Sequence, residues 1–137
     1  MKKLLLAGLV FTLAFTGCKD DDDDCTLTKD SIVGTYKITA ARYQPAGGGS
    51  EIDLFALSSP CERDDMVIFN DNGIVNYQDV GAVCSPSGTD TGTWTLSGNT
   101  LTLDGEQSTV SSFECSTMVL RQTDGTGGVS NVTFQRQ

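Results

Sequence analysis

From residue 25 onward the sequence predicts an all-β domain, an eight-stranded antiparallel barrel of the up-and-down kind, and three observations carry that prediction. Apolar residues recur in short alternating runs, with no sustained stripe of period 3.6. The runs are broken at close intervals by Gly, Asn, Asp and Pro, the residues that turns require. Two of the breaks, Asp71-Asn72-Gly73 and Ser97-Gly98-Asn99, are hairpin signals. A sequential meander of eight strands most economically closes on itself, because closure removes the unpaired edges that an open sheet leaves.

Residues 33–43 form the first and longest strand, with Tyr36, Ile38 and Ala40 on one face and Lys37, Thr39 and Ala41 on the other. Its length suits a strand that bends around a barrel. Pro45 and three glycines break the chain at 45–50, and residues 51–58 bring Ile52, Leu54, Phe55 and Leu57 into a long loop. That loop carries one helical turn and lies over an open end of the sheet. Strands at 65–70 and 74–79 make the first hairpin, residues 81–89 form a loop with Cys84 and Pro86, and strands at 92–96 and 100–104 make the second hairpin. Trp94 and Leu96 point inward there if Leu101 and Leu103 do. Strands at 108–113 and 115–122 follow, and 129–136 closes the set after a glycine-rich turn at 125–128. Gly34-Thr35-Tyr36-Lys37-Ile38 is echoed by Gly92-Thr93-Trp94-Thr95-Leu96. In both, the glycine permits close approach of the chain and the aromatic two residues later fills an end of the barrel.

Ahead of the strands the sequence reads as an address. Lys2-Lys3, an apolar run of about a dozen residues and the small Thr16-Gly17 have the order of a secretory signal. The run is shorter than the ~20 residues that a spanning helix needs. Phe15-Thr16-Gly17-Cys18 resembles the bacterial lipobox, in which the cysteine is diacylated, the signal is cut before it, and its new amino group is acylated. More than one acyl chain on Cys18 makes the membrane anchor stable. The other reading is a signal cut elsewhere, with Cys18 an ordinary half-cystine. Lys19 and the five aspartates at 20–24 follow. Five adjacent carboxylates cannot be packed or paired together, so this stretch is an extended, solvated tether. It resembles the surface-export signal of Bacteroidetes lipoproteins, which sends them to the outer face of the outer membrane. Adjacent aspartates without a turn glycine lack the spacing of a calcium loop. The organisation expected is a signal peptide at 1–17, a lipidated cysteine and tether at 18–29, and a barrel at 30–137.

Setting Cys18 aside leaves Cys25, Cys61, Cys84 and Cys115, an even number in an exported chain and hence two disulfides. Cys61 and Cys84 flank the first hairpin, whose ends meet, so they pair and leave Cys25 with Cys115. Zinc would want a C-x-x-C pair or histidines, and the sequence has neither. The whole chain carries 18 acidic and 9 basic residues. From Cys18 onward the count is 18 against 7, or −11, which disfavours nucleic acid and anionic headgroups as partners. Without histidine, Ser/His/Asp and Cys/His catalysis are excluded. Asp64 and Asp65 read as solvated rim charges at a strand start, and no serine sits in a G-x-S-x-G or S-x-x-K motif. The expectation is a protein without catalytic residues, metal or cofactor.

Four segments carry a family resemblance: Ile32-Val33-Gly34-Thr35-Tyr36-Lys37-Ile38, then Cys61-Glu62-Arg63-Asp64-Asp65-Met66-Val67-Ile68-Phe69 with Asn72-Gly73 behind it, then Cys84, then the run from Thr91 to Leu103. Together they cover most of residues 30–120 and resemble the lipocalin-like domain proteins common among Bacteroidetes lipoproteins. Tyr36 stands where the broader lipocalins place the tryptophan of their G-x-W motif, so the ligands of those carriers do not transfer. The resemblance implies a small barrel on a lipid anchor. Tyr36, Phe69, Tyr77 and Trp94 then either fill the barrel core or, with Ile38 and Leu96, line a pocket, since eight strands are just wide enough for either. Two functions follow. One is a binding module for a small apolar molecule, with Phe55 and Leu57 as a lid. The other is a structural or accessory subunit of an outer-membrane surface complex, with a filled barrel and loops that contact another protein.

Overall fold

The computed structural model describes residues 25–137. The expected signal peptide, Cys18 and the aspartate run lie outside the described residues. The chain runs through α1 (Lys29–Ile32), β1 (Gly34–Gln44), β2 (Ile52–Asp53), α2 (Leu54–Leu57), β3 (Met66–Phe69), β4 (Ile74–Gln78), β5 (Asp90–Ser97), β6 (Thr100–Leu103), β7 (Glu106–Phe113), β8 (Thr117–Thr123) and β9 (Val129–Arg136). Each strand from β3 to β9 pairs antiparallel with the next, and β1 lies between β3 and β9. Pairing from Tyr36↔Arg136 to Gln44↔Val129 closes the wall. β2 is a two-residue rung on β1, so β1 and β3 to β9 make a closed barrel of eight strands.

Strict alternation fails at two places. The register of β1 on β9 passes from Ile38↔Phe134 to Ala40↔Thr133 and skips Thr39. An extra residue in one strand shifts the side-chain alternation beyond it. Ala41, opposite Val132, therefore shares the interior face with Tyr36 and Ile38, while Ala40 shares the outer face with Thr133. This reverses the placement that a period of two assigns to both alanines. A second bulge at Ser111 brings Val110 and Phe113 to the same interior face, opposite Leu120 and Met118.

The two ends of the barrel differ. At one end α1 acts as a plug. Thr28 and Ser31 form a capping box, each side chain taking the other's amide (3.1 and 2.9 Å), and Ile32 is fully buried. Arg136 clasps the plug from β9: Nη1 donates to Val33 O (3.0 Å), Nη2 to Ser31 O and to Tyr36 OH (2.6 Å), and Nε to Cys115 O (2.8 Å). Its guanidinium also lies over the Tyr36 ring, 5.0 Å from the centroid. Gly34, at φ +153°, makes this possible, because a Cβ there would stand 2.6 Å from Arg136 Nη1. The disulfide Cys25–Cys115 pins the chain entry to the β7–β8 turn, and Leu27 packs against the core. Residues 25–29, assigned to the tether by charge and position alone, are thus part of the barrel unit.

Above the plug the core is aromatic. The Phe69 ring meets those of Tyr36, Trp94 and Phe134 edge-on, with centroids 5.6, 5.3 and 6.4 Å away. Such pairs each contribute about 0.5–1.5 kcal/mol beyond burial of area. At the other end, here the mouth, the disulfide Cys61–Cys84 joins the long β1–β3 connection to the 79–89 loop. That bond draws the second loop over the start of β3. Asp64 and Asp65 are consequently half-buried and not solvated rim charges: Asp64 Oδ2 accepts from the Ala82 amide (2.8 Å), and each Oδ1 is buried with no partner among the described residues. Burial, reinforced by the nearby Asp79 carboxylate, lifts the Asp65 carboxyl above the usual aspartate range.

Candidate functional site

At the mouth the interior is not filled. Three successive strands carry inward series that pass from polar to apolar with depth: Glu106, Ser108 and Val110 on β7, Gln122, Leu120 and Met118 on β8, Ser130, Val132 and Phe134 on β9. The registers Leu103↔Glu106, Val110↔Leu120, Leu120↔Val132 and Gln122↔Ser130 hold the series level with one another. Between their upper members lies a cavity of about 270 Å³, its wall completed by Ile38 and Leu103 and its depth reaching Phe134. Serine at two interior positions leaves volume that larger residues would fill. The space sits just under the ~300–1,000 Å³ of ordinary small-molecule sites and is mostly apolar with a few polar groups, as such sites are.

Two tyrosines brace this end. Tyr43, level with Ser130 in the β1–β9 register, donates its hydroxyl to Asp124 Oδ2 (2.8 Å) in the β8–β9 turn. The Thr126 hydroxyl, the Tyr43 hydroxyl, and the Thr126 and Gly128 amides hold the Asp124 carboxyl far below its ordinary range. Tyr77 donates to Asp104 Oδ2 (3.1 Å), and Asp104 Oδ1 accepts from the Thr93 amide (2.7 Å). Burial, and then the Asp104 carboxylate, push the Tyr77 phenol up to about 12. Gly92 is the counterpart of Gly34, since the Asp104 carboxylate occupies the place a Cβ would take. The echoed glycines thus make room for charged side chains, where the sequence pointed to close approach of chain.

Of the residues expected to line a pocket, Ile38 lies in the cavity wall. Tyr36, Phe69 and Trp94 are fully buried in the aromatic cluster, with Trp94 Nε1 donating to Asn70 O (2.9 Å). Tyr77 and Leu96 pack against the core, and neither lines the cavity. Phe55 is half-buried on α2 and Leu57 is 74% exposed, and neither borders the cavity. The sequence reading passed over Glu106, Ser108, Leu120, Gln122, Ser130, Val132 and Phe134. Their signal was the period of two within 106–110, 118–122 and 130–134, read for polarity along each strand. Two hollows at the plug end, of about 430 and 480 Å³, adjoin Asp30 and Arg136 and, separately, Lys29 and Trp94. Arg136 there is committed to the plug. Among the described residues no group of three or more Asp, Glu, Cys or His is placed to hold a metal ion.

Residues 32–121 match the family model described as the lipocalin-like domain, about two thirds of the chain. No curated protein matches it. The match ends before Gln122, Ser130, Val132 and Phe134, so one side of the cavity wall lies beyond the matched segment.

Proposed function

The chain belongs to the lipocalin-like domain family, and from that premise we propose that it is a non-enzymatic binding module that takes a small apolar molecule into the mouth-end cavity. The observation that carries the proposal is the shared gradient of β7, β8 and β9, which gives a cavity with a wet rim and an apolar depth. A solid barrel would have no reason to place serine at interior positions on two of those strands. The test is titration with a neutral, environment-sensitive naphthalene fluorophore. Saturable enhancement, reversed by octanol, is expected for the natural sequence. Ser108→Phe, which puts a ring into the cavity, should abolish it while circular dichroism and both disulfides stay unchanged. Equal binding by a folded Ser108→Phe protein, or no saturable binding at all, would overturn the reading.

The remainder of the proposal concerns place. The lipobox-like Phe15-Thr16-Gly17-Cys18 supports diacylation and membrane anchoring at Cys18. Lys19 and the aspartates behind it support display at the outer face of an outer membrane, as in the Bacteroidetes lipoproteins that the chain resembles. A second functional reading, contact with a surface protein partner, is favoured by Ile52, Leu54, Leu57 and Val83. These large apolar residues are exposed on the two mouth-end loops that Cys61–Cys84 joins.

A further inference from the structure

Resting on the cavity reading just given, we infer that the ligand class is an amphiphile with an apolar chain and a cationic head, an alkylammonium and not a fatty-acid-like anion. Glu106 is the one charged residue in the cavity lining. It opens β7 opposite Leu103, and that register places it on the interior face with Ser108 two residues further in. Among the described residues its carboxylate has no hydrogen-bond or ion-pair partner. The other carboxylates of the adjoining turns are already engaged: Asp104 by Tyr77 and Thr93, Asp124 by Tyr43, Thr126 and Gly128. No base stands ready for an anion. Arg42 is held by Glu51 (2.9 Å) and Asp53 (3.7 Å), Arg63 Nε donates to Ser58 O (3.1 Å), and Arg121 shares the outer face with Asn131 and Thr109. A carboxylate head would therefore sit beside Glu106 with like charge and nothing to offset it. An ammonium head can instead donate to Glu106 and to the oxygens of Gln122, Ser130 and Ser108, while its chain lies against Leu120, Val132 and Phe134.

The experiment uses residues 18–137 with Cys18→Ser, so that neither an acyl chain nor a free thiol competes, and displaces the neutral fluorophore with octylamine, octanol and octanoate. Octylammonium is expected to bind about tenfold more tightly than octanoate at low salt, with the gap narrowing at high salt as screening removes the charge term. Glu106→Gln should bring the two close to parity. Asp30→Asn, which removes the same charge at the plug end, should leave the gap in place. Failure of all three compounds to displace the probe would sink the cavity reading itself. Displacement by octanol with no preference for the amine would sink this inference alone. So would a preference that survives Glu106→Gln or disappears in Asp30→Asn, because net charge and not the cavity would then be responsible.

Discussion

A methyl group on Gly92 would collide with the Asp104 carboxylate, and to make room the protein would have to give up the acceptor of the Thr93 amide and the Tyr77 hydroxyl. Gly92→Ala is expected to cost about 2 kcal/mol, read from urea unfolding. Asp104→Gly in the same chain should recover part of that loss, since it removes the clash and relieves a non-glycine residue at φ +50°. Burial of Tyr77, and then the same carboxylate, set a pH dependence. Tyr77 has its phenol pushed up to about 12 from 10.0, so the folded state prefers the neutral form. That contribution is complete below the unfolded value of 10.0 and fades as pH rises towards 12. Tyr77→Phe should therefore flatten the alkaline fall in melting temperature over this window, and a fall unchanged by the substitution would place its origin elsewhere. At this scale the sequence was legible where a residue's partner lies in its own strand pattern, as with the inward Trp94. It was not legible where the partner comes from afar, as Arg136 comes to Gly34.

Among the elements, the hairpins stood out in the sequence because turn residues act locally. Asn72, for instance, takes the Ile74 amide on its own side chain (3.0 Å). The bulges at Thr39 and Ser111 left no mark, because each is settled by a partner strand and not by the residue skipped. The plug helix was passed over as well: four residues are too few for a helical period, and its sign was the reciprocal cap of Thr28 and Ser31. The aromatic echo drew attention to the plug end, where large rings fill space. The cavity owes its room to Ser108 and Ser130, and its sign was the fall in polarity along alternate residues of three strands, which no single strand displays as a large ring does. Each disulfide joins segments far apart in the chain. Replacing Cys61 and Cys84 by serine frees a loop spanning 23 positions and should cost roughly 3 kcal/mol, whereas replacing Cys25 and Cys115, 90 positions apart, should cost about 4–5 kcal/mol. Chemical unfolding of the two double variants checks the order, and equal losses would point to strain or denatured-state structure in place of chain entropy.

For the whole molecule, the chain enters at the plug end, so on the proposed anchorage the tether joins the barrel at the end opposite the mouth. Changing the five aspartates to alanine should leave fatty-acid labelling intact while hiding the barrel from protease added to whole cells, whereas Cys18→Ala should abolish the labelling. Unaltered protease access would reduce the acidic run to a spacer. The seam between β1 and β9 has one more consequence, in time. A chain that leaves a ribosome or a translocation pore in sequence order presents β1 first and β9 last. Without β9 the wall cannot close, α1 lacks its Arg136 clasp and the cavity lacks one side. Closure therefore waits on the final strand, so the capacity to hold a ligand is the last property the fold acquires.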